Sequence, residues 1–339
     1  RILMIKDKKI LIVGAGGFIG GHLVKRLLND GNFIVATDIK PREYWFQEFE
    51  NAENHYSMDM KDISNCRKVT HKIDYVFNMA CNMGGMGFIE NNKAECMQSV
   101  LINTNLLISC KEAGIKRYFF SSSACAYNKT KQQEIFIKGL KETDAYPADP
   151  EDGYGWEKLF SERMCRHFME DYGTQVRIAR YHNIYGPFGT FDGGREKAPA
   201  ALCRKVINAK KNNEDKIEVW GDGKQTRSFL YIDDCVDGTL RLFESDYSEP
   251  VNIGSDEQVS INQMIDIIEN ISDIKNLKRI YLLDKPKGVR GRSSNNDLVK
   301  EVLNWSFKIK LKDGLKKTYD WMSSEISKHG SNISRFTKS

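Results

Sequence analysis

The chain reads as an α/β protein, a doubly wound parallel sheet with a smaller mixed α/β lobe attached. Two observations predict it: apolar strands alternate with amphipathic helices through the first half, and a glycine-rich turn joins the first strand to the first helix. Lys9–Val13 is a short β-branched and apolar run that ends in Gly14-Ala15-Gly16-Gly17. A helical pattern follows from Phe18 to Leu28, and Phe33–Thr37 is a second strand ending at Asp38. Tyr75–Met79 is strand-like, Ala94–Ala113 helical, Lys116–Ser121 a strand, Gly155–Tyr172 a helix and Val176–Tyr181 a strand. Continuous apolar runs in these strands fit burial on both faces of a sheet.

Gly14, Gly17 and Gly20 form G-x-x-G-x-x-G between that first strand and helix. Such glycines permit a tight turn and close approach of backbone to a pyrophosphate, with the helix start at Phe18 and Ile19 facing the phosphates. Asp38 ends the second strand about 20 residues on, where a carboxylate accepts from ribose hydroxyls and repels a 2′-phosphate. The sheet is therefore read as Rossmann-type and its cofactor as NAD. Asp59 and Met60 follow a third candidate strand and are placed beside the adenine.

After Asn183 glycine and proline cluster (Gly186-Pro187, Gly189, Gly193-Gly194, Pro199), and short strands mix with helices as far as Trp321. Residues 8–182 are assigned to the NAD-binding domain, with 228–256 returning to it through Ser228–Ile232 and Pro250–Gly254. Residues 183–325 form mainly the substrate lobe, and the polar stretch 326–339 is read as a frayed tail.

Composition narrows the function classes. The net charge of +5 is spread along 339 residues without a dense basic run, which argues against nucleic acid and suits an anionic small molecule. No stretch approaches the apolar length of a membrane span, and Arg1–Ile10 lacks the apolar core of a signal peptide. The eight cysteines form no CxxC pair and read as reduced thiols in a cytoplasmic protein. The six histidines show no HExxH-like spacing, so no metal is expected.

Tyr154 and Lys158 stand four residues apart, on one face of a helix. By themselves they are a solvated helical pair. Ser121-Ser122-Ser123 closes a strand some thirty residues earlier, downstream of a dinucleotide loop, and this combination resembles the extended short-chain dehydrogenase/reductase family from Lys9 to about Trp321. The resemblance implies that Tyr154 removes a proton from a sugar hydroxyl as NAD takes the hydride. It also implies that Ser123 hydrogen-bonds that hydroxyl and that Lys158 holds the nicotinamide ribose. A free phenol ionises near about 10, and a neighbouring ammonium is expected to lower it.

The residues after Ser123 separate branches of that family. Dehydratases carry an acid pair where this chain has Ala124-Cys125, and simple 4-epimerases carry an inert residue at the second position. A thiol there can take a proton made acidic by a 4-keto group. Lys197, in Gly194-Arg195-Glu196-Lys197, offers a partner that exchanges protons when its pKa is depressed. With Met83-Gly84-Gly85-Met86-Gly87, His182-Asn183-Ile184-Tyr185-Gly186-Pro187, the stretch Trp220–Phe229 and Val289-Arg290-Gly291-Arg292, these motifs are similar to the branch that inverts C3 and C5 of GDP-mannose. That resemblance implies GDP-L-galactose and GDP-L-gulose as products, catalysis by Tyr154, Lys158, Cys125, Lys197 and Ser123, and a homodimer built on the 94–113 and 155–172 helices.

The sugar is then expected against Met83, Gly84, Gly85, Ser123, Ala124, Cys125, Glu196 and Lys197. Asn183, Lys205, Gln225, Arg227, Arg290 and Arg292 are expected toward the diphosphate end, where arginine forks suit phosphate. Two other readings stay open at this point: an epimerase of a different nucleotide sugar or of one carbon only, and a non-catalytic NAD-binding sensor.

Overall fold

β1 (Lys9–Val13) lies within a seven-stranded, all-parallel sheet in the computed structural model, which describes residues 5–330 and 334–337. On one side of it come β2 (Phe33–Thr37) and β3 (Glu53–His55). On the other lie β4 (Tyr75–Asn78), β5 (Arg117–Ser123), β6 (Gln175–Tyr181) and finally the strand Val251–Ile253. The chain starts at β1 and runs outward to β3, then crosses back to β4 on the opposite side. The crevice between the ends of β1 and β4 is thus the switch point where such sheets bind ligands.

Alternation along β1 divides two cores. Ile10 and Ile12 face α1 (Phe18–Asn29), while Leu11 and Val13 face the layer holding α2 (Ile63–Thr70). α3 (Met86–Asn91) and α4 (Lys93–Met97) lead into α5 (Ser99–Ala113), so the single helix expected over 94–113 is divided at Gln98. α6 (Asp152–Tyr172) begins three residues earlier than the sequence pattern indicates and therefore carries Tyr154 in its first turn.

Beyond Asn183, α7 (Ala198–Asn212) packs with α9 (Ile261–Ser272) and α11 (Leu311–His329). Between them in sequence, α8 (Ile232–Glu244) packs on α1 and β6 and delivers Val251–Ile253 to the sheet. Ser228 and Leu230–Tyr231 do not join that sheet. Thr226–Ser228 pairs instead with Gln258–Ser260 and Gly291–Arg292, and Leu230–Tyr231 pairs with Ile184–Tyr185. Short strands of two or three residues satisfy their backbone groups in these small local pairings.

The stretch after 326, expected to fray, continues α11 to His329. The last described segment, Ser334–Thr337, sets Phe336 against Phe46, Phe191 and Trp321, with ring centroids 5.5, 5.9 and 5.1 Å apart. One aromatic side chain anchors an otherwise polar segment, which composition alone conceals. Residues 331–333 and 338–339 of that expectation, like Arg1–Met4 of the amino-terminal one, lie outside the described residues. Among the described residues no helix is long and apolar enough to cross a membrane.

A buried ion pair fixes α6 against the sheet. Arg180 on β6 donates to both carboxylate oxygens of Glu162 at 2.9 and 2.7 Å, and Ser122 on β5 donates to the same carboxylate at 2.5 Å. Arg180 reaches on to the Glu142 carbonyl at 2.7 Å. Both charged side chains are 3% exposed, so neither has water to fall back on. Removing one partner of such a pair leaves an uncompensated charge, at a cost of about 3–5 kcal/mol. Glu162→Ala is therefore expected to lower unfolding stability by about that amount, with Glu162→Gln less damaged, as read from denaturant midpoints.

Candidate active site

The glycine turn forms the floor of a cavity of about 1330 Å³ at the switch point. That exceeds the roughly 300–1,000 Å³ of a pocket for one small ligand, so there is room for two. Gly14 adopts φ +85°. A Cβ on Gly20 would collide with the Gly14 carbonyl, which is the close helix–strand approach that a dinucleotide turn requires. Gly17 caps α1 without a side chain, leaving the amino terminus at Phe18 and Ile19 open toward the cavity.

Asp38 accepts from the Gly16 and Lys40 amides, each at 3.0 Å. Burial raises its carboxyl above the ordinary value, while those amides and the Lys40 charge oppose the rise. Asp59 accepts from the Lys61 amide at 2.9 Å, and Met60 is buried against Cys66. Both line the cavity near Asp38. The turn, its capless helix and the carboxylate fit a dinucleotide.

α6 and the end of β5 build the opposite wall. Gly155 packs so closely on the turn after β5 that a Cβ would collide with the Cys125 carbonyl. This contact brings Tyr154 and Lys158 over Ser123 and Cys125. Lys158 is 1% exposed; its ammonium donates to the Ser121 carbonyl at 2.9 Å and lies 3.8 Å from Glu157. Burial opposes its charge, but Cys81 and Glu157 outweigh that and hold it above the ordinary lysine value.

Tyr154 differs from expectation. Burial drives its phenol well above the ordinary value, Cys81, Cys125 and Glu157 push the same way, and its hydrogen bond with Ser123 opposes them. Lys158 does not achieve the lowering expected of it, because its ammonium is directed to Ser121, Glu157 and Cys81, 5.5 Å from the centre of the Tyr154 ring.

Cys125 receives a hydrogen bond at its sulfur from Arg292, 3.4 Å away, while its amide donates to the Ser123 hydroxyl at 3.1 Å. Arg292, expected at the diphosphate, is instead held beside the thiol. Its other nitrogens donate to Gln132 at 2.6 Å and Glu151 at 2.8 Å. Arg290 does not line the cavity: Asp222, in the turn before Thr226–Ser228, takes two of its N–H groups at 3.1 and 3.2 Å. A carboxylate within reach satisfies the fork that was expected to meet phosphate.

The remaining residues converge. Met83, Gly84, Gly85, Ala124, Asn183, Glu196, Lys197, Lys205, Gln225 and Arg227 all line the cavity. Lys197 enters as the residue preceding α7, and burial lowers its pKa against the opposing charge at Cys125. Burial likewise takes Arg227 down to about 10, with Arg292 adding to the effect. Lys205 donates to the Glu218 carbonyl at 2.8 Å, and Asn183 to the Ser228 carbonyl at 3.2 Å.

Sequence reasoning missed Glu151 and Gln132, because their link to Arg292 spans 141 and 160 residues and leaves no local pattern. It also missed Cys81, whose signal was its place just beyond the carboxyl end of β4.

The parallel sheet, glycine turn and Ser123–Tyr154–Lys158 set define a class: a dinucleotide-binding protein of short-chain dehydrogenase/reductase architecture. More particularly, the chain belongs to the NAD dependent epimerase/dehydratase family, whose model matches residues 10–254, and its cofactor is NAD. It is 50% identical over 321 residues to GDP-mannose 3,5-epimerase 1 of Oryza sativa subsp. indica, covering 94% of this chain and 83% of that one. It is 48% identical over 338 residues to GDP-mannose 3,5-epimerase of Arabidopsis thaliana, covering 98% and 88%. Among solved structures, UDP-glucose 4-epimerase of Thermotoga maritima, determined with UDP-glucose, shares the fold. Its TM-score is 0.84 at 24% identity, over 94% of this chain and 99% of that one.

A Gly20→Ala variant places a methyl group against the Gly14 carbonyl and displaces α1 from β1. Purified variant is expected to carry at least about tenfold less NAD than wild type, measured by releasing the nucleotide and quantifying it, while retaining wild-type helix content by circular dichroism.

Proposed function

We propose that the protein is a GDP-mannose 3,5-epimerase, forming GDP-L-galactose and, when C5 alone inverts, GDP-L-gulose. The observation that carries this reading is that Cys125 and Lys197 line the same cavity as Ser123, Tyr154 and Lys158. The two plant relatives, sharing about half their residues with this chain, support the choice of substrate.

NAD supplies reversible hydride acceptance from C4 of the sugar when bound, held by the Gly14–Gly20 turn, Asp38, Asp59 and Met60. Tyr154 accepts the proton of the C4 hydroxyl at its phenolic oxygen and later returns it. Ser123 orients that hydroxyl, and Lys158 holds the nicotinamide ribose. The protein's own groups keep the phenol high, and further positive charge joining Lys158 in the cavity favours the phenolate.

While C4 is a ketone, the hydrogens on C3 and C5 are acidic. Cys125 and Lys197 remove and return protons at those carbons, one as base and the other as acid. Burial lets the Lys197 amine become neutral at a lower pH than an ordinary lysine. Arg292 orients the Cys125 sulfur by donating to it. Met83, Gly84, Gly85, Ala124 and Glu196 shape the sugar end. Asn183, Lys205, Gln225 and Arg227 hold the nucleotide diphosphate, with residues 183–325 acting mainly as the substrate lobe beside an NAD domain of 8–182 that Val251–Ile253 rejoins.

Turnover of GDP-mannose in D2O tests this reading. Recovered GDP-sugar is expected to carry deuterium at both C3 and C5, read by NMR; label at neither carbon sinks the proposal, and label at C5 alone narrows it to one inversion. Cys125→Ala is expected to oxidise C4 still, yet lose at least about a hundredfold in carbon-bound exchange.

The same reading makes the protein a cytoplasmic homodimer. Its eight cysteines are free, which suits a reducing compartment, and cell fractionation reports on that placement directly. Met97 and Leu101 from the α4–α5 segment and Trp156 and Phe160 from α6 are all more than 40% exposed, an apolar face available to a second copy. Leu101→Glu combined with Phe160→Glu is expected to shift sedimentation to a monomer; an unchanged dimer rules out this face.

A further inference from the structure

The ammonium of Lys197 has no hydrogen-bonded or ion-paired partner among the described residues, so its own head group does not determine where it stands. Its backbone must do so. On the carboxyl side Lys197 leads directly into α7, which is packed against α9 and α11. On the amino side lie Gly193 and Gly194, with φ +93° and +97°. A Cβ on Gly193 would collide with the Thr337 carbonyl, but one on Gly194 would meet nothing within 4 Å, so Gly194 is the swivel. Between this swivel and Lys197 stand only Arg195 and Glu196.

Arg195 is tied to the Asn82–Phe88 stretch by hydrogen bonds, a ring contact and close backbone packing. One guanidinium nitrogen donates to the Asn82 side-chain oxygen at 2.8 Å and to the Met83 carbonyl at 3.1 Å. The guanidinium carbon lies 3.8 Å from the centre of the Phe88 ring, a cation–π contact. The Arg195 carbonyl accepts from the Gly85 amide at 3.0 Å. A Cβ on Gly84 would come within 3.2 Å of the Arg195 Cα, and one on Gly85 would collide with the Glu196 carbonyl. The loop after β4 and the Gly194–Lys197 segment are therefore packed together, with Arg195 as the pin between them. Glu196 adds a lesser tie, accepting from the Gly194 amide at 2.7 Å and from Arg204 at 3.4 Å.

We propose that Arg195 is a positioning residue for carbon-bound proton exchange: its clamp on Asn82, Met83 and Phe88 sets where the Lys197 amine stands against the sugar. Hydride transfer at C4 uses Ser123, Tyr154 and Lys158, which are carried by β5 and α6; Tyr154 also touches the clamped loop, its hydroxyl donating to the Met83 sulfur at 3.9 Å. The hydride half thus rests first on β5 and α6 and meets the clamp through the Met83 side chain. The proposal rests on the role given to Lys197 above.

The test compares wild type, Arg195→Met, Arg195→Lys and Lys197→Ala as NAD-loaded enzymes with GDP-mannose in D2O. C4 oxidation is read in a single turnover from cofactor absorbance, and deuterium at C3 and C5 is read by NMR. Arg195→Met keeps the length of the stem but loses the donors, and is expected to cut exchange by about a hundredfold, the effect of misplacing a reacting group by about an ångström. C4 oxidation should stay within roughly threefold of wild type, because Ser123, Tyr154 and Lys158 are carried by β5 and α6 and meet the clamp through the flexible Met83 side chain.

Arg195→Lys retains a cation over Phe88 and so guards against simple misfolding; it cannot form the same fork and is expected to fall between the two. Exchange near the wild-type rate in both Arg195 variants overturns the proposal, as does a parallel loss of oxidation and exchange. Lys197→Ala separates the two levels of the argument. If it exchanges like wild type, the role of Lys197 itself fails and the clamp with it. If it loses exchange while Arg195→Met keeps it, the clamp alone is wrong.

Discussion

The ion pair of Glu162 and Arg180, with Ser122 sharing the carboxylate, is the constraint on which the candidate site depends. It joins three adjacent elements, β5, α6 and β6, through charges that have no access to water. Seven residues upstream of Glu162 on α6 the consequence appears at Gly155, whose missing Cβ lets the helix touch the turn after β5. Tyr154 and Lys158 are thereby held over Ser123 and Cys125 by a charged pair that does not itself line the cavity. A buried pair of this kind adds little net stability compared with apolar packing, but breaking it is costly. It therefore acts here as a registration device, fixing one helix against one strand end.

The fold was legible wherever chemistry is local. The strand–turn–helix around Gly14–Gly20 and the carboxylate at Asp38 belong to one βαβ unit, so their spacing in sequence is their spacing in space. The Tyr154–Lys158 pair was legible for the same reason, as two positions one helical turn apart. The Rossmann-type sheet followed from strand and helix periodicity, and the family match agrees with it.

What the sequence did not reveal depends on long-range pairing. Arg290 and Arg292 are two residues apart and looked equivalent, yet one meets Asp222 at the lobe surface and the other a thiol in the cavity. Strand alternation by itself would set positions 290 and 292 on one face; Arg290 stands before the two-residue strand Gly291–Arg292 and turns to Asp222, a partner that only the folded lobe brings near. The Tyr154 phenol was misjudged for a related reason. Spacing showed one ammonium nearby but not Glu157 and Cys81 competing for it. The polar tail concealed Phe336 because a single buried aromatic hardly alters composition.

The position of Arg292 also bears on the order in which the molecule is assembled. Chains emerge from synthesis amino terminus first, and their early parts begin to fold first. The glycine turn, Asp38, Ser123, Tyr154 and Lys158 all precede residue 182, so the groups around the cofactor are made together. The Cys125 thiol is made with them, but the arginine that contacts it follows 167 residues later. On the proposed reading, the residues assigned to hydride transfer are synthesised together, and Lys197 and Arg292, assigned to the exchange half, follow with the lobe.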